Sequence, residues 1–146
     1  MTSIKAVFDS DRRSVHMNIG SESMFVLHQR SCIYMLRSTP LGRAELAYGD
    51  LVICKKDGST LRFLRLHKKS EFSTFRVFRR NINSNLMIFR STLDAVQTAG
   101  CGVTAHWEKG VAAVTVPKDI SLEKTVNFVA DRIGNSFFIE ISANRQ

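Results

Sequence analysis

Residues 75–79 read FRVFR, residues 85–99 read NLMIFRSTLDAVQTA, and residues 111–116 read VAAVTV. The first and third segments are short and rich in β-branched and aromatic residues, a composition typical of strands. The middle segment repeats its apolar residues at helical spacing, which places them on one stripe of a helix. The residues of this stripe are Leu86, Phe89, Leu93 and Val96. A strand, a helix and a further strand therefore organise the second half of the chain.

Both predicted helices have recognisable ends. Asn83-Ser84 can cap the first helix, and Gly100 suits the left-handed position that follows its last turn. Ser121 can cap a second helix, and Gly134 closes it. The apolar stripe of the second helix consists of Leu122, Val126, Val129 and Ile133.

Two more strands complete the pattern of the second half. Residues 103–107 and 137–141 have strand composition, so the order from Phe75 onward is β-α-β-β-α-β. This order is typical of a ferredoxin-like unit, in which both helices pack on one face of an antiparallel sheet. We expect the N-terminal strands to cover the other face.

The first half of the chain is rich in strand patterns and has no helix pattern. Asp57-Gly58 favours a tight hairpin turn between two of its strands. The predicted strands span residues 3–8, 15–19, 24–27, 33–36, 51–54 and 60–66. The sequence thus predicts an α+β protein. Its β-rich subdomain (1–70) packs on a ferredoxin-like subdomain (71–146) in one compact globule.

Composition excludes several classes of protein. The chain is 44% hydrophobic and 23% charged, which is ordinary for a globular protein. No segment has the roughly 18 consecutive apolar residues of a membrane span, and Lys5 and Asp9 interrupt any signal-peptide core. The odd number of cysteines (Cys32, Cys54 and Cys101) and the lack of a C-x-x-C pair argue against disulfides and zinc. We expect three buried free thiols and a cytoplasmic protein.

The net charge of +8 is concentrated in one region. Residues 53–80 contain nine Lys or Arg against two acids, whereas the rest of the chain has twelve against eleven. A concentrated positive charge attracts anionic partners. An acidic protein, a nucleic acid and a solvated edge that prevents strand-to-strand aggregation are the three interpretations. The candidate partner-binding residues are Lys55, Lys56, Arg62, Arg65, Lys68, Lys69, Arg76, Arg79 and Arg80.

No catalytic motif accompanies this charge. The sequence has no P-loop, no G-x-G-x-x-G and no G-x-S-x-G. His106 and Glu108 lack the cysteines of a zinc deaminase, and Asp50 is interpreted as a turn residue that bonds local backbone. We predict a protein that is not an enzyme and needs no cofactor or metal.

Several short segments resemble a bacterial family classed only as a domain of unknown function. They include the Gly-Asp pair before a Leu-Val strand, a Gly-Cys pair and a Val-x-Val-Pro ending, and the resemblance covers roughly residues 22–142. The matching segments are 22–26, 40–41, 46–52, 61–63, 70, 73–77, 100–101 and 113–117. The resemblance implies no activity, although small domains of this kind include antagonists of bacterial toxins.

Charge and the missing motifs together lead to a functional hypothesis. We expect a protein-binding module that docks an acidic partner, such as a toxin domain neutralised by its immunity protein. The alternative is an RNA- or DNA-binding protein that uses the same basic residues. The segment at 75–79 offers Phe and Arg for base stacking, but its neighbour at 112–116 offers no aromatic residue.

Overall fold

A computed structural model describes residues 5–6, 15–19, 22–43, 45–58, 60–81 and 83–146. Within these residues it contains ten strands, two α-helices and two single-turn 3-10 helices. The strands are β1 (Lys5–Ala6), β2 (Val15–Ile19), β3 (Glu22–Arg30), β4 (Ile33–Leu36), β5 (Leu51–Asp57), β6 (Thr60–Lys68), β7 (Ser73–Arg79), β8 (Gly102–His106), β9 (Val111–Val116) and β10 (Phe137–Ala143). The α-helices are α1 (Leu86–Thr98) and α2 (Leu122–Ile133), and the 3-10 helices span Trp107–Lys109 and Gly134–Ser136. The mixed α+β prediction is confirmed.

Strands β2 to β6 close into a five-stranded barrel. Each strand runs antiparallel to the one before it, and β6 then pairs with β2 in parallel, with Met17 opposite Leu61. An up-and-down barrel with an odd number of strands must close on one parallel pair, because its first and last strands run the same way. The inward-facing residues are Met17, Ile19, Met24, Val26, Tyr34, Leu36, Val52, Cys54 and Leu61. The alternation in the sequence predicted most of these strands but not their closure.

The remaining strands form an antiparallel sheet in the order β1-β8-β9-β7-β10. One face of this sheet packs against α1 and α2, where Phe75 and Val77 meet Phe89, Leu93 and Val129. β1 pairs with β8, so this strand belongs to the second sheet and not to the β-rich unit predicted for residues 1–70. Residues 3, 4, 7 and 8 of the predicted first strand lie outside the described residues.

The helix caps follow the sequence closely, with one correction. Asn85, and not Asn83-Ser84, caps α1, because its side-chain oxygen accepts from the backbone amides of Met87 and Ile88. The Ser84 hydroxyl instead donates to the carbonyl oxygen of Ser136 at 2.7 Å. Ser121 caps α2 as predicted, accepting from the amide of Lys124 at 3.1 Å.

A buried arginine connects the barrel to the sheet. Side chains alternate along a strand, so Arg76 lies on the face of β7 opposite Phe75 and Val77. The loop 37–50 between β4 and β5 covers it, and only 1% of Arg76 is exposed. Its Nη2 donates to the carbonyl oxygens of Pro40 at 2.5 Å and Arg43 at 2.8 Å. The prediction of Arg76 as a surface cation is therefore wrong, because the backbone of this loop binds its charged group inside the protein.

Burial also changes the acidity of this arginine. Loss of hydration lowers the pKa of the Arg76 guanidinium, since desolvation disfavours the charged form. The carboxylates of Glu140, Glu22 and Glu45 act in the opposite direction and offset part of this lowering. Nε and Nη1 have no hydrogen-bond partner among the described residues.

A buried ion pair forms the second connection. Asp50 is fully buried and accepts from the amides of Ala47 at 3.0 Å and Ser70 at 2.8 Å. Arg145 donates to both of its carboxylate oxygens, at 2.5 and 3.2 Å. The local bond to Ala47 agrees with the turn role predicted for Asp50. The bidentate partner comes from beyond β10 and could not be inferred from the sequence.

We expect Asp50→Asn to destabilise the protein by about 3 kcal/mol, because it leaves the guanidinium of Arg145 buried without its counter-ion. Urea denaturation measures the difference in the free energy of unfolding. Asp57→Asn is the matched control, since Asp57 is exposed in the hairpin, and should change stability by less than about 0.5 kcal/mol. Equal losses in the two variants would show that the ion pair contributes nothing.

Candidate functional site

The hairpin of β5 and β6 presents a basic outer surface. Val52, Cys54 and Leu61 point into the barrel, so the alternate residues of both strands point outward. A bulge in β6 places two consecutive residues opposite Ile53, which puts both of them on the outside. We name the outward set Lys55, Arg62, Leu64 and Arg65 the basic hairpin face.

Two like charges stand directly opposite each other on this face. Lys55 and Arg62 are register partners on β5 and β6, and both are exposed. Like charges at such positions destabilise a sheet, whereas a Lys–Glu pair would stabilise it. No described carboxylate forms an ion pair with either residue. The hairpin thus holds a charge arrangement that costs stability.

An apolar side chain lies among these charges. Leu64 is 46% exposed, in the bulge between Arg62 and Arg65. Apolar anchors surrounded by polar residues are typical of protein interfaces, and a phosphate backbone offers them little. The composition of the face therefore favours a protein surface as its partner.

The nine predicted cations do not form one surface. Arg76 is buried under the loop 37–50, and Arg79 is half-buried on the second sheet. Arg80 is exposed, donates from Nε to the carbonyl oxygen of Phe137, and lies with its guanidinium carbon 5.7 Å from the ring centroid of Phe138. The exposed cations that remain on the barrel strands or just after them are Lys55, Lys56, Arg62, Arg65, Lys68 and Lys69.

An aromatic pair marks the second sheet on the side away from its helices. Phe78 and Phe138 are cross-strand partners whose ring centroids lie 4.8 Å apart, with 20° between their planes. Phe138 is 42% exposed. Of the Phe and Arg residues predicted on the segment 75–79, Phe78 lies on this face and is half-buried, whereas Arg76 is buried. The neighbouring Arg80 follows β7, and the aromatic partner Phe138 comes from β10 and was not predicted.

The mouth of the barrel holds a cleft that sequence reasoning missed. Its volume is about 680 Å³, and every barrel strand contributes to its lining. The lining residues are His16, His28, Ser31, Tyr34, Lys56, Gly58, Thr60 and Leu61. They are scattered along the sequence, and only the closure of the barrel brings them together. Lys56 faces this cleft, while its neighbour Lys55 lies on the outer face.

The three cysteines differ in their surroundings. Cys54 and Cys101 are buried, and burial raises the pKa of each thiol to about 11. Cys32 lies in the exposed turn after β3, so the prediction that it is buried is wrong. All three are free thiols. The Cys54 thiol lies 3.2 Å from the sulfur of Met17 in the barrel core.

The part of the chain that the structure describes contains no cluster of three or more His, Cys, Asp or Glu side chains arranged to hold a metal ion. Among these same residues, no helix is both long and apolar enough to cross a membrane.

Fold and surface together define an α+β protein with a small closed barrel, a helix-backed sheet and unpaired cations on the barrel. The chain belongs to the family described as Domain of unknown function (DUF4265), which matches residues 22–137. The resemblance found in the sequence is thereby confirmed.

One solved structure shares this architecture. It is described as a novel crystal structure of a hypothetical protein from Neisseria gonorrhoeae, and it superposes with a TM-score of 0.60. The two chains are 20% identical, and the match covers 98% of this chain and 95% of that chain. At this identity the likeness shows the fold alone. No curated protein matches the sequence.

We expect Lys55→Glu to stabilise the protein by about 0.5 kcal/mol, because it replaces a like-charge cross-strand pair with an opposite-charge pair. Chemical denaturation at low ionic strength measures the change, since salt screens exposed charges. Lys56→Glu is the control, because Lys56 stands opposite the apolar Leu61 and gains no such partner. A stability gain in both variants would show that net charge, and not the pair, is responsible.

We also expect one thiol of the native protein to react rapidly with 5,5′-dithiobis(2-nitrobenzoate) near pH 8. Only about one part in a thousand of a thiol with a pKa near 11 is thiolate at that pH. Burial further protects Cys54 and Cys101, so the reactive residue is Cys32. Absorbance of the released thiolate counts the reacting groups, and Cys32→Ser should abolish the rapid phase. Rapid reaction of a second thiol would contradict the burial of the other two.

Proposed function

We propose that this protein is a non-enzymatic binding module that docks an acidic protein through the basic hairpin face. The observation that carries the proposal is that Lys55 and Arg62 face each other across the two strands without an ion-pair partner among the described carboxylates, beside the exposed Leu64. A hairpin selected for stability alone would place opposite charges at these positions. An acidic partner supplies the missing carboxylates, and an apolar contact on Leu64 supplies the desolvated centre of the interface.

A toxin domain is the partner class we favour. Inhibitors of this kind cover a site with complementary charge, which gives fast association and specificity. The exposed basic residues of the barrel, which form no ion pair with any described carboxylate, fit such a role. Three free thiols fit the reducing environment of the cytoplasm, where we place the protein.

We also assign the C-terminal part to the ferredoxin-like class. The order β8-β9-β7-β10, with α1 after β7 and α2 after β9, supports this assignment. The assignment matters for function, because it identifies the sheet face that carries Phe78 and Phe138 as the face opposite the helices.

Nucleic-acid binding is the second candidate, and the aromatic pair on this face favours it. RNA-recognition sheets stack bases on aromatic residues of the face opposite the helices. Here the ring of Phe138 is half-exposed, and Arg80 lies beside it. A single half-exposed ring gives less stacking surface than such a sheet needs for several bases, so we rank this candidate second.

A titration with two labelled probes separates the candidates. Poly-glutamate represents an acidic protein surface, and a single-stranded RNA represents nucleic acid. We expect Lys55→Glu/Arg62→Glu to weaken poly-glutamate binding at least about tenfold, which corresponds to about 1.4 kcal/mol. The control Lys109→Glu/Lys124→Glu reverses the same charge at exposed positions elsewhere and should bind like the natural protein.

Each outcome of this titration has a consequence. If both double variants weakened poly-glutamate binding equally, net charge alone would explain the effect and the proposal would be overturned. Tighter binding of RNA than of poly-glutamate would favour nucleic acid, with log affinity falling at about 0.7 per phosphate contacted as log salt rises. Phe138→Ala should then weaken RNA binding and leave poly-glutamate binding unchanged.

Affinity purification from the native strain extends the test to a real partner. We expect one stoichiometric acidic protein with the natural chain and with the Lys109→Glu/Lys124→Glu control. The same protein should be lost with Lys55→Glu/Arg62→Glu. Recovery of no stoichiometric protein partner would count against the proposal.

A further inference from the structure

The structure assigns a second binding site to the barrel mouth: we propose that the cleft between Tyr34, His28 and Lys56 binds a small organic anion with an aromatic or apolar body. This site goes beyond the proposed protein-binding function, because it lies at the mouth of the barrel and not on its outer face. Its volume of about 680 Å³ is within the range of small-molecule pockets, and mouths of β-barrels are a common place for them.

Tyr34 gives the strongest indication of a ligand. Only 4% of this residue is exposed, and it lines the cleft. Its hydroxyl makes no hydrogen bond to any described residue, and its oxygen is not fully enclosed by protein, so a ligand in the cleft can reach it. Burial, with Cys54 and Cys32 nearby, raises the pKa of Tyr34, so the phenol stays protonated and keeps its donor. The group therefore offers one unused O–H to an acceptor inside the cleft.

The charge of the lining determines the sign of the ligand. Lys56 contributes an ammonium group, and no carboxylate belongs to the described lining. His16 binds Ser23 Oγ through Nδ1 at 2.9 Å, which leaves its Nε2 available. His28 donates from Nε2 to the carbonyl oxygen of Ser31 at 2.9 Å. The Lys56 ammonium group and the Tyr34 hydroxyl can therefore donate to a carboxylate or a phosphate, whereas His28 contributes the surface of its ring.

The floor of the cleft determines the body of the ligand. Leu61 and Tyr34 belong to the barrel core, and both contribute apolar surface to the lining of the cleft. The His28 ring lies against Tyr34, with centroids 5.0 Å apart. An aromatic or apolar body fits against these rings, while its anionic group reaches Lys56 at the rim. The ligand is thus an aryl or alkyl carboxylate or phosphate rather than a bare inorganic ion.

Neighbouring lysines supply a matched pair of variants. Lys56 lines the cleft, whereas Lys55 points outward and pairs with Arg62. Replacing either with glutamine removes one positive charge at almost the same place in the chain. A ligand in the cleft responds to Lys56 alone, and an acidic protein on the outer face responds to Lys55.

Phenyl phosphate and benzoate are the probes, with inorganic phosphate, benzyl alcohol and benzylamine as comparisons. NMR titration should show saturable shifts of the His16 and His28 ring signals with the two aromatic anions. Tyr34→Phe should weaken the better anion about fivefold, the loss expected for one hydrogen bond. Lys56→Gln should weaken it by a similar factor, and Lys55→Gln should leave its affinity unchanged.

Three results would overturn the site. The first is no saturable shift with either aromatic anion; the second is equal binding of benzylamine; the third is equal weakening by the two glutamine variants. If Tyr34→Phe fails to fold, Lys56→Gln still decides, because Lys56 is exposed and packs into no core. Loss of poly-glutamate binding with retention of phenyl phosphate in Lys55→Gln would separate this site from the proposed protein interface.

Discussion

The packing of the barrel against the sheet depends on the hydrogen bonds of the Arg76 guanidinium. It projects from the middle of β7 and donates to the carbonyl oxygens of Pro40 and Arg43 in the loop 37–50. The same loop joins β4 to β5, so the group that attaches it to the sheet also fixes where the barrel lies. Taking a guanidinium out of water is costly, and nearby carboxylates offset part of that cost. The Thr39–Thr115 bond at 2.9 Å reinforces the contact.

This arrangement separates what the sequence could predict from what it could not. Helix α1 and helix α2 carry their period and caps within a dozen residues, so local reasoning placed both, with the cap moved to Asn85. The hairpin around Asp57-Gly58 is equally local. Barrel closure is not, because it depends on Met17 of β2 pairing with Leu61 of β6 across three intervening strands. Alternation tells which residues share a face but not which strands become neighbours.

The candidate sites show the same limit. Charge counting found the β5–β6 hairpin, since basic residues are visible in any sequence. It placed Arg76 on the surface, because a cation between Phe75 and Val77 on a strand is indistinguishable from a surface cation until the loop that covers it is known. The barrel-mouth cleft gave no signal, since its residues are single His, Tyr and Lys side chains on different strands. Such a site depends on which strands become neighbours, so it can be found only when the strand order of the barrel is known.

The Asp50–Arg145 pair has a consequence for how the molecule is made. The two residues are 95 positions apart in the chain. A ribosome adds roughly 5–20 residues per second, so Asp50 waits about 5–20 seconds for its counter-ion after it is synthesised. For the first part of that interval the loop 37–50 also lacks its hydrogen bonds from Arg76. Until Arg145 is synthesised, the buried ion pair with Asp50 cannot form. In a nascent chain of this protein the Asp50 carboxylate therefore stays hydrated until Arg145 has been synthesised, and the burial of this ion pair is a late step of folding.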